Sequence, residues 1–282
     1  MSRLRTFRRL FLAVVLLFGS NMLFPSMLRA QCAIKPTIIR SGEHLSYTLY
    51  YNLGFIWINA GSCDFKVKKT NWNGNGAWQL SVIGRTVPSF DGFFNVRDTF
   101  LTVVDSTTLI PYKAYKYTHE DSWHGVDVFT FKPNQAGWIV TTQLKRKGKW
   151  KPPVMDETTQ CGFDLVSSIY RLRTLNDPTL FKPGAKREIQ IRLDDGEYTV
   201  YLSYQGKDKL KLHKSGAYDA HLFHLSLVAG NVFKRGDVLK LWISDDGNNI
   251  PLLVESPIRV GKVKAVFKQA TNTIFPVVAP QI

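Results

Sequence analysis

The chain has 282 residues, three cysteines and a formal net charge of +15 at pH 7. A basic balance of this size favours anionic partners, such as membrane headgroups, acidic polysaccharide or nucleic acid. The cysteines show neither a CxxC pair nor the Cys/His spacing typical of a zinc site, which argues against a structural zinc domain.

Residues 1–30 have the pattern of a secretory signal peptide. Four arginines between Arg3 and Arg9 precede an apolar stretch from Leu10 to Phe18, and the segment ends in Leu28-Arg29-Ala30, which suits cleavage. An uncleaved membrane anchor needs roughly 18 or more continuous apolar residues, and Gly19-Ser20-Asn21 interrupts this run. We therefore expect cleavage after Ala30 and export to the periplasm of a Gram-negative bacterium.

Export would narrow the range of anionic partners that this basic protein can meet. Five arginines and no acidic residue leave with the signal, so the mature domain keeps +10 of the charge. For an exported protein we expect an anionic membrane surface or polysaccharide and no nucleic acid. The run Lys145 to Lys151, which includes Trp150, is either a solvated hairpin end or a headgroup contact.

The cysteines predict one disulfide in an oxidising compartment. Cys63 lies in strand phase with Phe65 and Val67, so we expect it to be a small buried apolar residue. Cys32 follows the bulky polar Gln31, which argues against lipidation. The predicted pair is therefore Cys32 and Cys161.

The mature chain has a dominant hydrophobic period of two. Apolar and polar residues alternate over residues 45–51, 189–193, 198–204 and 263–267. Asn-Gly and Asp-Gly turns separate such segments. We predict a mainly β single domain over residues 31–282, with about a dozen antiparallel strands in a barrel or a strongly curved half-barrel sheet. Its strand-rich parts are residues 41–147 and 186–270.

One segment has helical periodicity and joins the two strand-rich parts. Between about 158 and 175, Leu165, Val166, Ile169 and Leu172 fall on one face. Thr158 or Thr159 is the expected N-cap.

The loop from Asp91 to Asp98 carries Phe93, Phe94 and Arg97. One interpretation is that it lines the mouth of an apolar cavity and that an ion pair holds its shape. The other is that both phenylalanines pack on the core at a bend, because exposed Phe is unfavourable unless something covers it.

No catalytic motif of the GxSxG, HExxH, GxGxxG or Walker A type is present. The group of His119, Glu120, Asp121 and His124 is typical of a hairpin loop rather than a metal site. Asp194-Asp195 and Asp245-Asp246 precede Gly and are expected to be turn residues rather than a glycosidase pair. The sequence thus predicts a non-enzymatic protein without catalytic residues, metal or cofactor.

Short motifs are spread over nearly all of the mature chain. In order they are Gly42-Glu43, Tyr47, Tyr51, Trp57, Ala60-Gly61, Arg97-Asp98, Pro111, Cys161-x-x-Asp164, Tyr170-Arg171, Val238, Trp242 to Asp246, Ile250-Pro251 and Gly261. This series resembles the bacterial exported family catalogued as domain of unknown function 3108. The resemblance implies a Gram-negative envelope protein with a mostly antiparallel β-fold and no established activity. It also suggests an analogy with curved-sheet carriers that move lipoproteins across the periplasm.

The aromatic content, seven Trp, 11 Tyr and 18 Phe, fits two binding functions. A concave apolar face would hold a lipid-like or amphipathic ligand, whereas an exposed aromatic row would bind sugar. A cavity above about 300 Å³ favours the lipid. A structural assembly factor needs neither feature. The predicted ligand-binding residues are Tyr47, Leu49, Trp57, Trp78, Phe93, Phe94, Arg97 and Trp242.

Overall fold

The computed structural model of the chain describes residues 37–53, 55–134, 137–158, 161–174, 177–193, 196–212, 216–227, 238–258 and 261–277. The predicted signal peptide, Cys32, Thr159 and Asp194-Asp195 lie outside the described residues. Among the helices that are described, none is both long and apolar enough to cross a bilayer.

Fifteen strands in the described part of the chain form one antiparallel sheet. They are β1 (His44–Leu53), β2 (Ile56–Trp72), β3 (Asn75–Thr86), β4 (Arg97–Asp105), β5 (Pro111–Glu120), β6 (Trp123–Pro133), β7 (Trp138–Arg146), β8 (Lys149–Trp150), β9 (Val154–Thr158), β10 (Lys186–Leu193), β11 (Gly196–Leu212), β12 (Gly216–Leu227), β13 (Val238–Ser244), β14 (Pro251–Pro257) and β15 (Lys262–Thr271). The predicted mainly β, strongly curved fold is confirmed. The strand number exceeds the predicted dozen, because strands as short as β8 and β9 show no clear alternation.

The strand order makes the sheet almost circular. It runs β10-β11-β12-β13-β14-β15-β1-β2-β3-β4-β5-β6-β7-β8. Strand β9 also pairs with β7, along the same edge as β8 and next to it. Strand β1 pairs with β15, with Leu49 opposite Ala265, so the first and last strands are neighbours. The strands of both sequence halves therefore share one sheet.

The two edges of this sheet meet at Arg192 on β10. Its backbone N–H donates to the carbonyl of Phe163 at 2.6 Å. Its guanidinium donates to Thr142 Oγ1 on β7 at 3.1 Å and pairs with Asp156 on β9. A side chain and one short chain segment thus close the gap, where a complete barrel would have a ladder of backbone hydrogen bonds.

Two helices are described, α1 (Pro88–Asp91) and α2 (Leu165–Arg173). The predicted helix over 158–175 starts too early, because residues 154–158 form β9 and pair with β7. The N-cap is Asp164, not Thr158: its carboxylate accepts from the backbone of Val166 and Ser167 in a capping box. The buried helix face agrees with the prediction at Val166 but also includes Tyr170 and Arg173. The other predicted face residues, Leu165, Ile169 and Leu172, are only partly buried.

The inward face of the sheet is filled with side chains around α2. Val166 and Tyr170 pack against Leu80 of β3 and Val104 of β4. A second cluster joins β1, the ends of β11 and β12, β13, β14 and β15: Leu45, Tyr47, Leu212, Tyr218, Ala220, Trp242, Ile250, Leu252, Leu253 and Phe267. The packed interior thus combines sheet and helix side chains.

A buried ion pair fixes the end of α2. Arg173 donates through Nη1 to Glu43 Oε1 at 2.7 Å and through Nη2 to Glu43 Oε2 at 2.9 Å. The Arg173 carbonyl accepts from Asn249 Nδ2 at 2.7 Å. The pair therefore connects the helix end, the residue before β1 and the turn between β13 and β14.

The cysteines agree in part with expectation. Cys161 is disulfide-bonded, and Cys63 on β2 is a free thiol. Cys63 packs against the core but is only partly buried, whereas the sequence predicted a buried residue. Burial raises the pKa of Cys63 to about 12. Since Cys32 lies outside the described residues, the pairing of Cys32 with Cys161 stays a prediction.

Candidate functional site

The inward face of the sheet is open at one end, where it encloses a cavity of about 1130 Å³. Strands β1, β3, β14 and β15 and the segment between β3 and β4 form most of its wall. The lining residues are Leu49, Tyr50, Tyr51, Ala60, Gly84, Arg85, Thr86, Phe90, Phe93, Phe94, Val96, Glu120, Val254, Ser256, Ile258, Val263, Lys264 and Ala265. The wall is mainly aliphatic and aromatic.

The cavity continues the packed core along the same strand faces. On β1, Tyr47 belongs to the core, whereas Leu49 and Tyr51, two and four residues later on the alternating face, line the cavity. On β15, Phe267 is in the core and Ala265 lines the cavity. The interior therefore changes from filled to open along the strands.

Gly84 of β3 leaves part of this space open. A Cβ placed on Gly84 would meet no heavy atom within 4 Å. Its φ lies outside the left-handed region, so another residue fits its backbone conformation. The absence of a side chain at Gly84 enlarges the cavity at this point. The backbone conformation of β3 does not itself require glycine there.

Aromatic rings from the segment between β3 and β4 form one side of the cavity. Phe90 of α1 is buried, and its ring centroid lies 6.0 Å from that of Tyr51. The Phe93 ring lies 5.3 Å from Phe90 and 6.3 Å from Tyr51. Phe93 is largely exposed and Phe94 is partly exposed, so they form the rim as well as the wall.

Ion pairing and hydrogen bonds hold this segment in place. Arg97 Nη2 contacts Asp91 Oδ2 at 2.6 Å, and the hydrogen bonds from Arg97 and Thr86 lower the pKa of Asp91. The far end of the segment is tied to the β5–β6 turn, where Asn95 and Asp121 exchange two hydrogen bonds of 2.8 Å. The rim thus has a defined shape.

Three charged residues are among the described residues that line the cavity. Lys264 pairs with Glu255 at 2.6 Å, and its Nζ lies 4.4 Å from the centre of the Trp57 ring. Burial and the neighbouring Asp98 carboxyl raise the pKa of Glu120. Arg85 is exposed and has no ion pair or hydrogen bond to its side chain from the residues that are described.

The structure separates the eight predicted ligand-binding residues into two groups. Leu49, Phe93 and Phe94 line the cavity, while Trp57 and Arg97 contact residues of its wall or rim. The other three are Tyr47, Trp78 and Trp242, which lie in or against the packed core.

These three residues have partners within the protein. The Tyr47 ring lies 5.4 Å from Phe65 in an edge contact, and burial raises its pKa. Trp78 Nε1 donates to the carbonyl of Ser106 at 3.2 Å, and Trp242 Nε1 donates to Asp208 at 2.8 Å. They therefore do not line the cavity, because the interior is filled where their strand positions face it.

Sequence reasoning missed several lining residues, among them Tyr51, Gly84, Arg85, Phe90 and Ala265. Tyr51 could have been predicted from the sequence, since it continues the alternation of Tyr47 and Leu49. Gly84 and Ala265 had no signal, because a small inward residue can face either a large neighbour or empty space.

The polar groups outside the cavity are turn and pairing residues. His119 and His124 lie opposite each other across the β5–β6 turn, with ring centroids 4.1 Å apart. Asp245 pairs with Lys207 at 2.6 Å and with His221 at 3.0 Å. The described residues contain no group of three or more His, Cys, Asp or Glu that could hold a metal ion.

The fold and the cavity define a class: a strongly curved antiparallel β-sheet protein with a partly open apolar interior. A family model described as "Protein of unknown function (DUF3108)" matches residues 46–268, so the chain belongs to this family.

A solved structure has a similar fold. It is a β-barrel-like protein of the domain of unknown function DUF1849 from Brucella abortus, with a TM-score of 0.54 and 9% identity. The alignment covers 83% of this chain and 99% of that chain. At this identity the similarity concerns the fold alone. None of the curated proteins compared with this chain matches it.

Proposed function

We propose that this protein is a non-enzymatic, exported binding protein that holds a lipid-like, amphipathic ligand in the cavity. The observation that carries the proposal is the cavity itself, whose volume of about 1130 Å³ lies just above the usual range of about 300–1,000 Å³ for small-molecule sites. Its apolar wall favours a ligand that loses hydrocarbon surface to it.

The polar groups support an amphipathic ligand rather than a plain hydrocarbon. Arg85 and Lys264 stand at the edge of an otherwise apolar wall, and the Arg85 guanidinium has no partner among the described side chains. A free guanidinium is a good donor to carboxylate or phosphate oxygens. We therefore expect an acyl chain inside and an anionic headgroup near Arg85.

The lining supports this function over sugar binding. Sugars need several polar side chains for their hydroxyl groups, whereas most of the lining side chains here are aliphatic or aromatic, with Glu120 as the sole carboxylate of the described wall. A purely structural role leaves an apolar cavity of this size without a purpose.

The first experiment fills the cavity. The double variant with Gly84→Phe and Ala265→Phe places two rings in the space, and a side chain at position 84 meets no neighbouring atom at its Cβ. We expect this double variant to lose binding of an apolar fluorescent dye such as N-phenyl-1-naphthylamine, and to lose any lipid that copurifies with wild type in native mass spectrometry. Displacement of the dye by a fatty acid identifies the chain-binding site.

The matched control is Ser81→Phe, which adds the same ring to the other face of β3. It should keep dye binding. If the double variant does not fold, the single variant Gly84→Leu takes its place, and we expect it to lose part of the dye binding. Equal dye binding by the filled variant and the control, with both folded by circular dichroism, refutes the proposed site. Unchanged lipid content in the filled variant does the same.

Export is tested separately. The full-length chain, expressed in a Gram-negative host, should appear in the periplasmic fraction with Gln31 as its first residue. Retention in the cytoplasm with Met1 intact would contradict export without affecting the cavity.

A further inference from the structure

The antiparallel pairing places five connections that contain described residues at the same end of the sheet as the cavity rim. We call this the mouth end. It comprises the connections between β1 and β2, β3 and β4, β5 and β6, β7 and β8, and β14 and β15. In a continuous antiparallel sheet, alternate turns lie at the same end, so the position of these five follows from the strand order.

Half of the exposed large apolar side chains in the described residues lie at the mouth end. They are Phe55, Ile56, Trp57, Phe93, Phe94, Trp123 and Trp150. Phe55 at the β1–β2 turn is fully exposed, and Phe93 is 68% exposed. Single exposed apolar residues are ordinary, but a group around the opening of an apolar cavity marks an interaction surface.

Each of the three exposed tryptophans at this end lies beside a cation. Lys264 lies 4.4 Å from the Trp57 ring centre, Arg146 lies 5.7 Å from Trp123, and Lys145 lies 5.7 Å from Trp150. Further cations are exposed nearby, at Arg85, Lys147, Lys149, Lys151 and Lys262. Tryptophan beside lysine or arginine suits the boundary between headgroups and acyl chains. There the ring lies partly among the acyl chains, and the cation can bind a headgroup phosphate.

We propose that the mouth end docks on an anionic lipid bilayer, with Phe55, Phe93 and Phe94 entering the interface and the cations bound to headgroup phosphates. Docking orients the cavity opening toward the bilayer, so a lipid-like ligand can pass between membrane and cavity without crossing water. Ligand transfer between membrane and cavity rests on the proposed function. Docking on the bilayer does not, and it can be measured without any ligand.

Charge complementarity selects the bilayer over a second copy of this chain. Two copies meeting mouth to mouth would place the lysines of residues 145–151 near those of the partner, and like charges across an interface oppose association. An anionic membrane surface instead attracts each exposed Lys or Arg near it.

The test is cosedimentation of the mature protein with vesicles of phosphatidylglycerol and phosphatidylcholine in equal parts, compared with phosphatidylcholine alone. We expect binding to the anionic vesicles, weakened by salt. Phe55→Ser should reduce the binding constant about tenfold, because it removes a large apolar side chain from the interface. Lys149→Gln should reduce it about fivefold.

The matched control is Met155→Ser. Met155 is 71% exposed, as much as Phe93 at 68%, but it lies opposite Thr141 of β7, away from the mouth end. It should bind vesicles like wild type. Equal binding to both vesicle types overturns the proposal, as does an equal effect of Phe55→Ser and Met155→Ser. A concentration-dependent dimer in sedimentation that Phe55→Ser abolishes also overturns it, since the surface then belongs to a second copy.

The two proposals fail separately. The cavity-filled variant, with Gly84→Phe and Ala265→Phe, should still bind vesicles if docking is correct, whatever its dye binding. Phe55 is not a lining residue, so Phe55→Ser should still bind the dye if the cavity proposal is correct.

Discussion

The buried pair of Glu43 and Arg173 allows a sharp prediction about stability. The side chains are 0% and 2% exposed, respectively, and two charge-assisted hydrogen bonds join them. Burial alone works to lower the pKa of Arg173, but the hydrogen bonds and charge of Glu43 outweigh it and raise the pKa. Arg173 therefore stays charged, and Glu43→Gln leaves that charge buried without its counterion.

The expected cost is large. Removing one partner of a buried pair costs about 3–5 kcal/mol, and two hydrogen bonds to charged groups at about 1.5–3 kcal/mol each give a similar sum. We expect Glu43→Gln to lower the free energy of unfolding by about 4 kcal/mol, a large part of the total of about 5–15 kcal/mol typical of a domain. The melting temperature should fall by about 10 °C.

The assay is equilibrium urea unfolding, followed by tryptophan fluorescence, with the m-value as a check that the unfolded state is unchanged. The control is Asp177→Asn, which breaks the exposed pair of Arg187 and Asp177 and should cost less than about 1 kcal/mol. The double variant with Glu43→Leu and Arg173→Met should recover most of the loss, because no unpaired charge remains. A cost for Glu43→Gln no larger than that of Asp177→Asn, or a double variant less stable than Glu43→Gln, would refute this reasoning.

Three further predictions follow from described contacts. Asp164→Ala should destabilise the protein by about 2 kcal/mol in urea, since it removes the N-cap of α2 and the 2.7 Å bond from Thr102; a change under about 0.5 kcal/mol contradicts this. Native Cys63, with its pKa raised to about 12, should react with iodoacetamide at pH 8 on the order of 1,000-fold more slowly than in urea, and equal rates by mass spectrometry would count against its burial. Burial raises the pKa of Asp105, but three hydroxyl donors outweigh it and lower the pKa. The folded pKa thus lies below the unfolded one, so Asp105→Asn should cost stability by a constant amount above about pH 5, and the difference from wild type in urea titrations should close as the pH falls further. A difference that does not change with pH contradicts this sign.

The strands were predictable because alternation directly reflects one dry and one wetter face. Residues 45–51 and 263–267 are strands β1 and β15 as their patterns indicated. The helix boundary was not predictable from periodicity, because residues 154–158 join β9 through pairing with the distant β7. Asp164 is a better N-cap residue than Thr158, so the sequence did contain a local signal for the true start of α2.

The cavity could be anticipated only at its rim. The loop with Phe93, Phe94 and Arg97 gave a signal in the sequence, because two adjacent phenylalanines in a loop are unfavourable unless they pack against something. The inner wall had no such signal, since Tyr47 and Leu49 have the same phase on one strand while one is in the core and the other faces open space. Periodicity indicates which face of a strand is turned away from water. It does not indicate whether that face packs against other side chains or lines a cavity.

The pairing of β1 with β15 has a consequence for how this chain folds. During folding, β1 can pair with β2 at once, but its other edge exposes unpaired backbone groups until the last strand of the domain arrives. This long-range closure should make folding slow, and the intermediate with its free edge is the species at risk of aggregation. A chaperone that shields the nascent β1 edge would lower the risk of aggregation. A permuted chain in which β15 is followed directly by β1 would remove the delay itself.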